Sequence, residues 1–394
     1  MMKKRFLLIF VLSVFLFIAA CSSKEENSGQ GNKKASEYVI GAIYSKTGPN
    51  SPLGEPEWNA TQLIVDKINA EGGINGVPIR LILADDESNQ EKATQEMNRL
   101  VHDEQALVVL GSSGSGESLA MKGIAMQNQV PMISAGASVH IIDPVQESKW
   151  VFKTPHSDVH AVQRIYEYLN KQGINRIGTL TDSNSFGTSG LEQLEKLASK
   201  YDIEITEKES YNTQDPDMSA QLTRIKSSGA QAVVVWGTNP GPAVIASNMK
   251  KLNMAIPMIG SHGIANQNFI NLAKDAAEGV VIPTGKLLFP EQIPKDDAQY
   301  EVITSFHKAY VEKYGNEPTN FGAYGHDNIM LVIEALRSGA NDRESIRDFL
   351  ENKVKNWVGA TGMFTFSPDD HNGLTSDSMV MAVVKDGKWT LLEN

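Results

Sequence analysis

Cysteine is almost absent: Cys21 is the only one in 394 residues. No disulfide can form within the chain, and a metal site built on several thiolates is excluded. A basic excess is missing too, since 36 Lys and Arg face 47 Asp and Glu for a net charge of −11. The Lys-Lys pairs at Lys33 and Lys250 are isolated, and no basic stripe follows the first residues. Nucleic acid is therefore not an expected partner. Catalytic signatures are also lacking. The loop Gly111-Ser112-Ser113-Gly114-Ser115-Gly116 has no Gly-Lys-Ser/Thr ending, so it is not a nucleotide P-loop, and it lacks the third glycine of a dinucleotide fingerprint. Neither Gly111-Ser112-Ser113 nor Gly187-Thr188-Ser189 completes the G-x-S-x-G elbow of a serine hydrolase. His156 and His160 stand four apart, a spacing that suits a metal, but without the glutamate of an HExxH motif. A hydrolase holding a metal at His156, His160 and His262 is the reading left to the enzyme class. No cofactor is expected.

What is present begins with Met1-Met2-Lys3-Lys4-Arg5, a positive patch ahead of an apolar stretch from Phe6 to Phe17. A membrane-spanning helix needs about 20 apolar residues, and this run is shorter. It reads as a signal peptide, residues 1–20. Ile18-Ala19-Ala20-Cys21 resembles a bacterial lipobox, which makes Cys21 the expected lipidation site and the N-terminal lipid the expected membrane anchor. Residues 21–37 are polar and small, with nothing to bury, and read as a flexible tether. More than 350 residues remain, in a chain whose hydrophobic content is 41%, which exceeds one ordinary core. Two lobes are expected.

Tyr38 to Tyr44 is a short apolar run that reads as a strand, and the following spacing of Ala60, Leu63, Ile64 and Ile68 reads as a helix ending at Gly72-Gly73. Asn75-Gly76 marks a turn, Val77 to Ala84 a second strand, and Ser88-Asn89-Gln90-Glu91 a capping box opening the next helix. Further strands are expected at Leu107–Leu110, Met132–Ser134, Arg176–Leu180, Ala232–Trp236 and Pro257–Ile259. Strands alternating with helices imply an α/β fold with doubly wound parallel sheets.

Ligands of such sheets sit beyond the carboxyl ends of the strands, where free amides at helix N-termini favour anions. Ser113, Gly114 and Ser115 occupy such a loop. Glycines let the backbone approach, and serine hydroxyls donate to an oxyanion. The same residues also suit an ordinary N-capped turn. A second loop of this kind, Ser134-Ala135-Gly136-Ala137-Ser138, follows the neighbouring strand. Two such loops side by side can converge on one carboxylate.

These residues, together with Ile40-Gly41-Ala42, Thr47-Gly48-Pro49, the run from Asp66 to Pro78, Asp85-Asp86, Phe152-Lys153-Thr154, Phe186-Gly187, Asp217-Met218-Ser219 and Ala277-Glu278-Gly279, resemble the leucine/isoleucine/valine-binding proteins. That family consists of receptors of branched-chain amino acid importers with the type I periplasmic-binding fold. The resemblance implies two lobes joined by three crossovers near residues 155, 284 and 361. Lobe one would hold 38–155 and 285–360, lobe two 156–284 and 361–394, with Asp386-Gly387 as a tight turn.

The resemblance further implies a lipid-anchored, extracytoplasmic, single-copy protein that hands a small carboxylate-bearing ligand to a permease and its ATPase. Ser115 would meet the ligand carboxylate, Ser138 would stand where threonine is usual, and the Gly136 carbonyl would receive an ammonium beside Ala137. Leu53 and Phe186 would line the walls where tyrosines are usual. Trp236 reads either as a stacking wall or as a buried strand-end aromatic. His262 departs from the family, which places a glutamate there to pair with the ligand ammonium. Either the imidazole and the Gly136 carbonyl suffice for an amino acid, or the ligand is an aromatic or aliphatic acid without an α-ammonium. Ser115→Ala is expected to weaken binding and leave the stability of the empty protein unchanged.

Overall fold

The computed structural model describes residues 37–392. The signal peptide, Cys21 and most of the tether lie outside the described residues. No helix among those described is long and apolar enough to cross a membrane.

The first lobe is built on a parallel five-stranded sheet in the order β2-β1-β3-β4-β5. Its strands are β1 (Tyr38–Tyr44), β2 (Ile79–Asp85), β3 (Val108–Gly111), β4 (Met132–Ser134) and β5 (Val151–Lys153). Helices α1 (Ser51–Ala70), α2 (Gln90–Asn98) and α3 (Ser115–Asn128) connect the first four. Alternate side chains of one strand serve two cores, as the pleat requires. Ile40, Ala42 and Tyr44 pack on one face, Ile43 on the other. The sheet is covered on both faces, and so its strands read as continuous apolar runs.

The second lobe follows the same logic. It carries β6 (Arg176–Asp182), β7 (Glu204–Tyr211), β8 (Ala232–Trp236), β9 (Met258–Gly260) and β10 (Val281–Thr284), with α4 (Asp158–Lys171), α5 (Ser185–Ala198), α6 (Ser219–Ser227), α7 (Gly241–Lys251) and α8 (Gln267–Ala273). Val233 and Val235 enter one core, Val234 and Trp236 the other. The chain then returns to the first lobe through α9 (Tyr300–Tyr314), α10 (Asn320–Arg337) and α11 (Arg343–Lys353), and α10 supplies Phe321, Tyr324 and Leu331 to the first core.

The short antiparallel pair β11 (Trp357–Val358) and β12 (Met363–Phe364) comes next, before β13 (Val380–Lys385) and β14 (Lys388–Leu391). The third passage between lobes was expected near residue 361 but falls between Leu374 and Val380. Phe364, Phe366 and Leu374 are buried in the first core, and Phe366 packs 5.4 Å from Phe152. The second sheet is also not wholly parallel. Its order is β14-β13-β10-β9-β8-β6-β7, and β13 joins β10 and β14 antiparallel. A two-residue turn makes this possible: Asp386 and Gly387 both have positive φ, at 54° and 71°.

One local expectation shifts and another holds. The cap of α2 is Asn89, whose side chain accepts from the Lys92 amide, and Ser88 lies just outside with φ of 58°. Ser88 instead bonds the Thr47 carbonyl and the Asn50 amide, fastening the loop after β1. Asn75-Gly76 does turn the chain, closed by paired hydrogen bonds between Ile74 and Val77.

Candidate functional site

A cavity of about 290 Å³ opens between the lobes, at the small end of the range for ligand pockets. The loops after β1, β2, β3 and β4 of the first sheet and after β6, β8 and β9 of the second contribute to it. From the first lobe come Asn50 and Leu53 after β1, Gln90 after β2, the segment from Ser113 to Glu117 after β3, and Ala135 and Ala137 after β4. The second lobe adds Ser183 to Phe186, Thr238, His262 and Gly263, and the start of α10 adds Phe321 and Tyr324.

The α3 N-terminus points into this space. Its N-cap, Gly114, provides no side-chain cap, which leaves the Ser115 and Gly116 amides free, while the Glu117 amide is met by its own carboxylate. Ser115 is the first helical residue, and its Oγ accepts the Ser138 amide at 3.1 Å. The hydroxyl is thus used as an acceptor, and its hydrogen remains available to an anion in the cavity. Ser113 is turned toward the interior. Its Oγ donates to the Glu57 carboxylate and accepts the Ser45 amide at 3.1 Å. Burial holds Glu57 well above the usual carboxylate range, opposed by the Ser113 hydroxyl and reinforced by the Asp86 charge.

The second loop is placed beside the first, as its sequence position implied, but its residues divide. Ala137 lines the cavity. Gly136 and Ser138 do not. Gly136 is close-packed: a β-carbon there would lie 2.9 Å from Ile141 Cδ1 and 3.1 Å from the Gly114 carbonyl oxygen. Ser138 is fully buried, and its hydroxyl donates to Ser189 Oγ at 2.9 Å while accepting the His140 amide. Ser189 in turn donates to Asp158, which also accepts the Val139 amide at 3.2 Å. This chain of bonds ties the first-lobe loop to α4 and α5 of the second lobe.

On the second-lobe wall, Asn184 caps α5 by accepting the Phe186 and Gly187 amides, and this fixes the start of the helix that carries Phe186. Phe186 and His262 line the cavity, and Trp236 lies behind them with no exposed surface. The three rings form one cluster, with Phe186 and His262 edge-on at 5.4 Å and Trp236 at 5.7 and 5.9 Å from them. Trp236 is therefore the backing of the wall and not its surface, because β8 turns it toward α5. Both ring nitrogens of His262 are buried without a hydrogen-bond partner among the described residues. Burial holds this imidazole neutral, down at about 3, and the Lys153 charge acts in the same direction.

Beneath the two serine loops lies a buried titratable group of residues that composition gave no reason to expect. Lys153 donates to the Ala137 carbonyl and, at 2.9 Å, to Ser157 Oγ. Burial lowers the Lys153 ammonium and raises the Asp158 carboxyl, and in each case the partner's charge opposes the shift. His156 is held well below its ordinary value by burial, and His160 is pushed down to about 4 for the same reason. His156 Nε2 pairs with Ser378 Oγ at 3.0 Å, and the His160 ring nitrogen Nδ1 accepts the Ser157 amide in a capping box. No group of three His, Cys, Asp or Glu among the described residues is arranged to hold a metal ion.

Sequence reasoning missed Glu117, Thr238, Phe321 and Tyr324 as lining residues. Glu117 carried a signal, standing one turn inside a glycine-rich helix start. Phe321 and Tyr324 arrive from more than 180 residues away and carried none.

A sequence model of the periplasmic binding protein family matches residues 37–388. The Leu/Ile/Val-binding protein BraC3 of Rhizobium johnstonii is 27% identical over 358 residues, covering 91% of this chain and 94% of that protein. The Leu/Ile/Val-binding protein homolog 1 of Brucella abortus is 24% identical over 332 residues, covering 82% and 84%. Among solved structures, an extracellular ligand-binding receptor from Rhodopseudomonas palustris superposes with a TM-score of 0.85 at 26% identity, over 91% of this chain and all of that one. The branched-chain amino acid transporter substrate-binding protein LivJ of Streptococcus pneumoniae, in complex with isoleucine, gives a TM-score of 0.79 at 25% identity, over 90% and 99%.

Proposed function

We propose that this chain, which belongs to the periplasmic binding protein family, captures a small carboxylate-bearing solute between its lobes and passes it unaltered to an ATP-driven importer. An apolar amino acid is the foremost ligand class. The observation that carries the reading is the α3 N-terminus, where the Ser115 and Gly116 amides and the undonated hydrogen of Ser115 face a cavity shared by both lobes. Relatives named for leucine, isoleucine and valine, spanning more than four-fifths of this chain, support the same reading. Leu53, Ser113, Gly114, Ser115, Ala137, Phe186 and His262 form the proposed contact set, with Trp236, Gly136 and Ser138 as its support. The lobes would close over the ligand by hinge motion about the three passages.

A role outside the cytoplasm fits the N-terminal sequence, with Cys21 as the lipidated residue and a single copy as the working unit. Mass spectrometry of the membrane-extracted protein tests this, and an unmodified Cys21 preceded by intact residues 1–20 would refute it. Calorimetry of the purified protein against L-amino acids and simple carboxylic acids tests the capture reading. Heat with at least one carboxylate and no turnover of it is expected; no heat with any of them rejects the reading.

A further inference from the structure

Among the described residues, Glu117 is the one acidic side chain that lines the cavity, and no Lys or Arg lines it. It stands at the third position of α3, is 7% exposed, and folds back on its own amide. Burial raises its carboxyl above the usual carboxylate range, its own amide opposes this, and the charge of Asp86, of like sign, adds to it. Its placement is tight. A β-carbon built on Gly114 would lie 1.9 Å from Glu117 Oε2 and 3.0 Å from Asn50 Nδ2, so glycine at 114 is what makes room for the carboxylate beside the anion cradle. Across the cavity, where a counter-charge for a ligand would be sought, the only titratable side chain among the described lining residues of the second lobe is His262, neutral and with both nitrogens unpartnered.

This arrangement places a demand on the ligand. A carboxylate bound at Ser115 sits within one helical turn of Glu117, and a ligand with no positive charge would bring two anions together in a buried space. A zwitterion relieves this, because an α-ammonium lies beside its own carboxylate and can reach an acceptor two residues further along the same turn. We infer that Glu117 is the specificity-determining partner of a ligand ammonium, so the first lobe alone holds both charged ends of an α-amino acid and His262 faces the remainder of the molecule. The inference rests on the solute-capture reading above and goes further by naming the residue that selects an amino acid over an acid without the amine.

The test uses two pairs of probes measured by calorimetry on the purified full chain: L-leucine with 4-methylpentanoate, and L-phenylalanine with 3-phenylpropanoate. The wild type should bind at least one amino acid about 10- to 100-fold more tightly than its partner lacking the amine, the range expected of a charge-assisted contact. Glu117→Gln should bring that ratio near one, chiefly by weakening the amino acid, and Glu117→Asp, which keeps the charge, should restore part of it. Melting curves of both variants identify any that fail to fold, and the Asp variant then carries the comparison against wild type. Preference of the wild type for the acids lacking an amine overturns the assignment, as does an unchanged ratio in Glu117→Gln. Heat with neither member of either pair and with no other carboxylate sinks the capture reading itself, and this inference with it.

Discussion

Replacing Ser115 by alanine separates the role proposed for its hydroxyl from the one the structure shows. Toward the cavity, the hydroxyl is proposed to donate to the ligand carboxylate. A hydrogen bond to a charged group contributes about 1.5–3 kcal/mol, so affinity should fall about 10- to 150-fold. Toward the interior, Ser115 Oγ accepts the Ser138 amide at 3.1 Å, and Ser138 has no exposed surface. Alanine leaves that amide without an acceptor, at a cost of about 1–3 kcal/mol in the empty protein. The expectation from sequence, that stability would be untouched, is therefore revised. At about 2 °C per kcal/mol for a chain of this size, the ligand-free melting temperature should drop by about 2–6 °C. Ser115→Thr keeps the oxygen and should recover the melting temperature. Calorimetry reads the first effect, and scanning fluorimetry without ligand reads the second. A Ser115→Ala protein with wild-type affinity would refute the carboxylate contact, and an unchanged melting temperature would refute the buried bond.

Gly190→Ala would place a β-carbon 2.3 Å from Trp236 Nε1 and within 2.5 Å of two further ring atoms. Overpacking of this kind costs about 1–3 kcal/mol, and because Phe186 and His262 rest on that ring, weaker ligand binding should accompany the lower melting temperature; a variant normal in both would contradict the backing role. Glu57→Gln should flatten the pH dependence of stability. Burial raises the folded value of Glu57, so its contribution is present below the unfolded value and is lost as pH rises through the folded one; the wild type should lose up to about 1.4 kcal/mol per pH unit over that interval relative to the variant, as read by urea denaturation at several pH values. Parallel profiles for the two proteins would mean that Glu57 does not titrate as described. Asp158→Asn strips the acid from the fully buried Lys153 and should destabilise the protein by about 3 kcal/mol near neutral pH. The deficit should shrink as pH rises and Lys153 loses its proton in both states, and a deficit independent of pH would point to the lost Ser189 and Val139 bonds alone.

Much of the architecture was legible because the sheets are covered on both faces. Ala232–Trp236 is a run of five apolar residues with no alternation, and the observed β8 has those bounds, as suits a short β-branched run buried on two sides. Two of the strands that escaped notice are ones to which this logic does not apply, whereas β10, buried along its length, escaped it with a proline in its short run. β7 reads Glu-Ile-Thr-Glu-Lys-Glu-Ser-Tyr, lies at the sheet edge and is largely solvent-facing, so hydrophobic patterning is silent there. β5 has three residues, too few to show any period. The late third passage was hidden for a different reason: Phe364 and Phe366 belong to the first core only because Phe152 and Leu350 are there to receive them, a long-range fact with no local signature.

The site divides along the same line. Backbone-driven parts could be read, since glycine and serine after a strand imply a loop whose amides point outward, and Ser113, Gly114, Ser115 and Ala137 all line the cavity. What side chains do once there depends on neighbours far away in sequence. Ser138 was expected to face the ligand, yet Ser189 and Asp158 lie within bonding reach and draw its hydroxyl across the seam between lobes. That diversion changes the role of the loop. Ala137 touches the cavity, Ser138 and Val139 touch the second lobe, and Lys153 holds the Ala137 carbonyl from beneath. The position of the first-lobe wall and the contact between lobes are thereby set by three consecutive residues, so a ligand that presses on Ala137 acts on the same backbone that Asp158 and Ser189 hold. On the proposed mechanism closure and capture would be coupled through that short segment, and substitutions at Ser189 or Asp158, which do not line the cavity, should be felt in affinity as well as in stability.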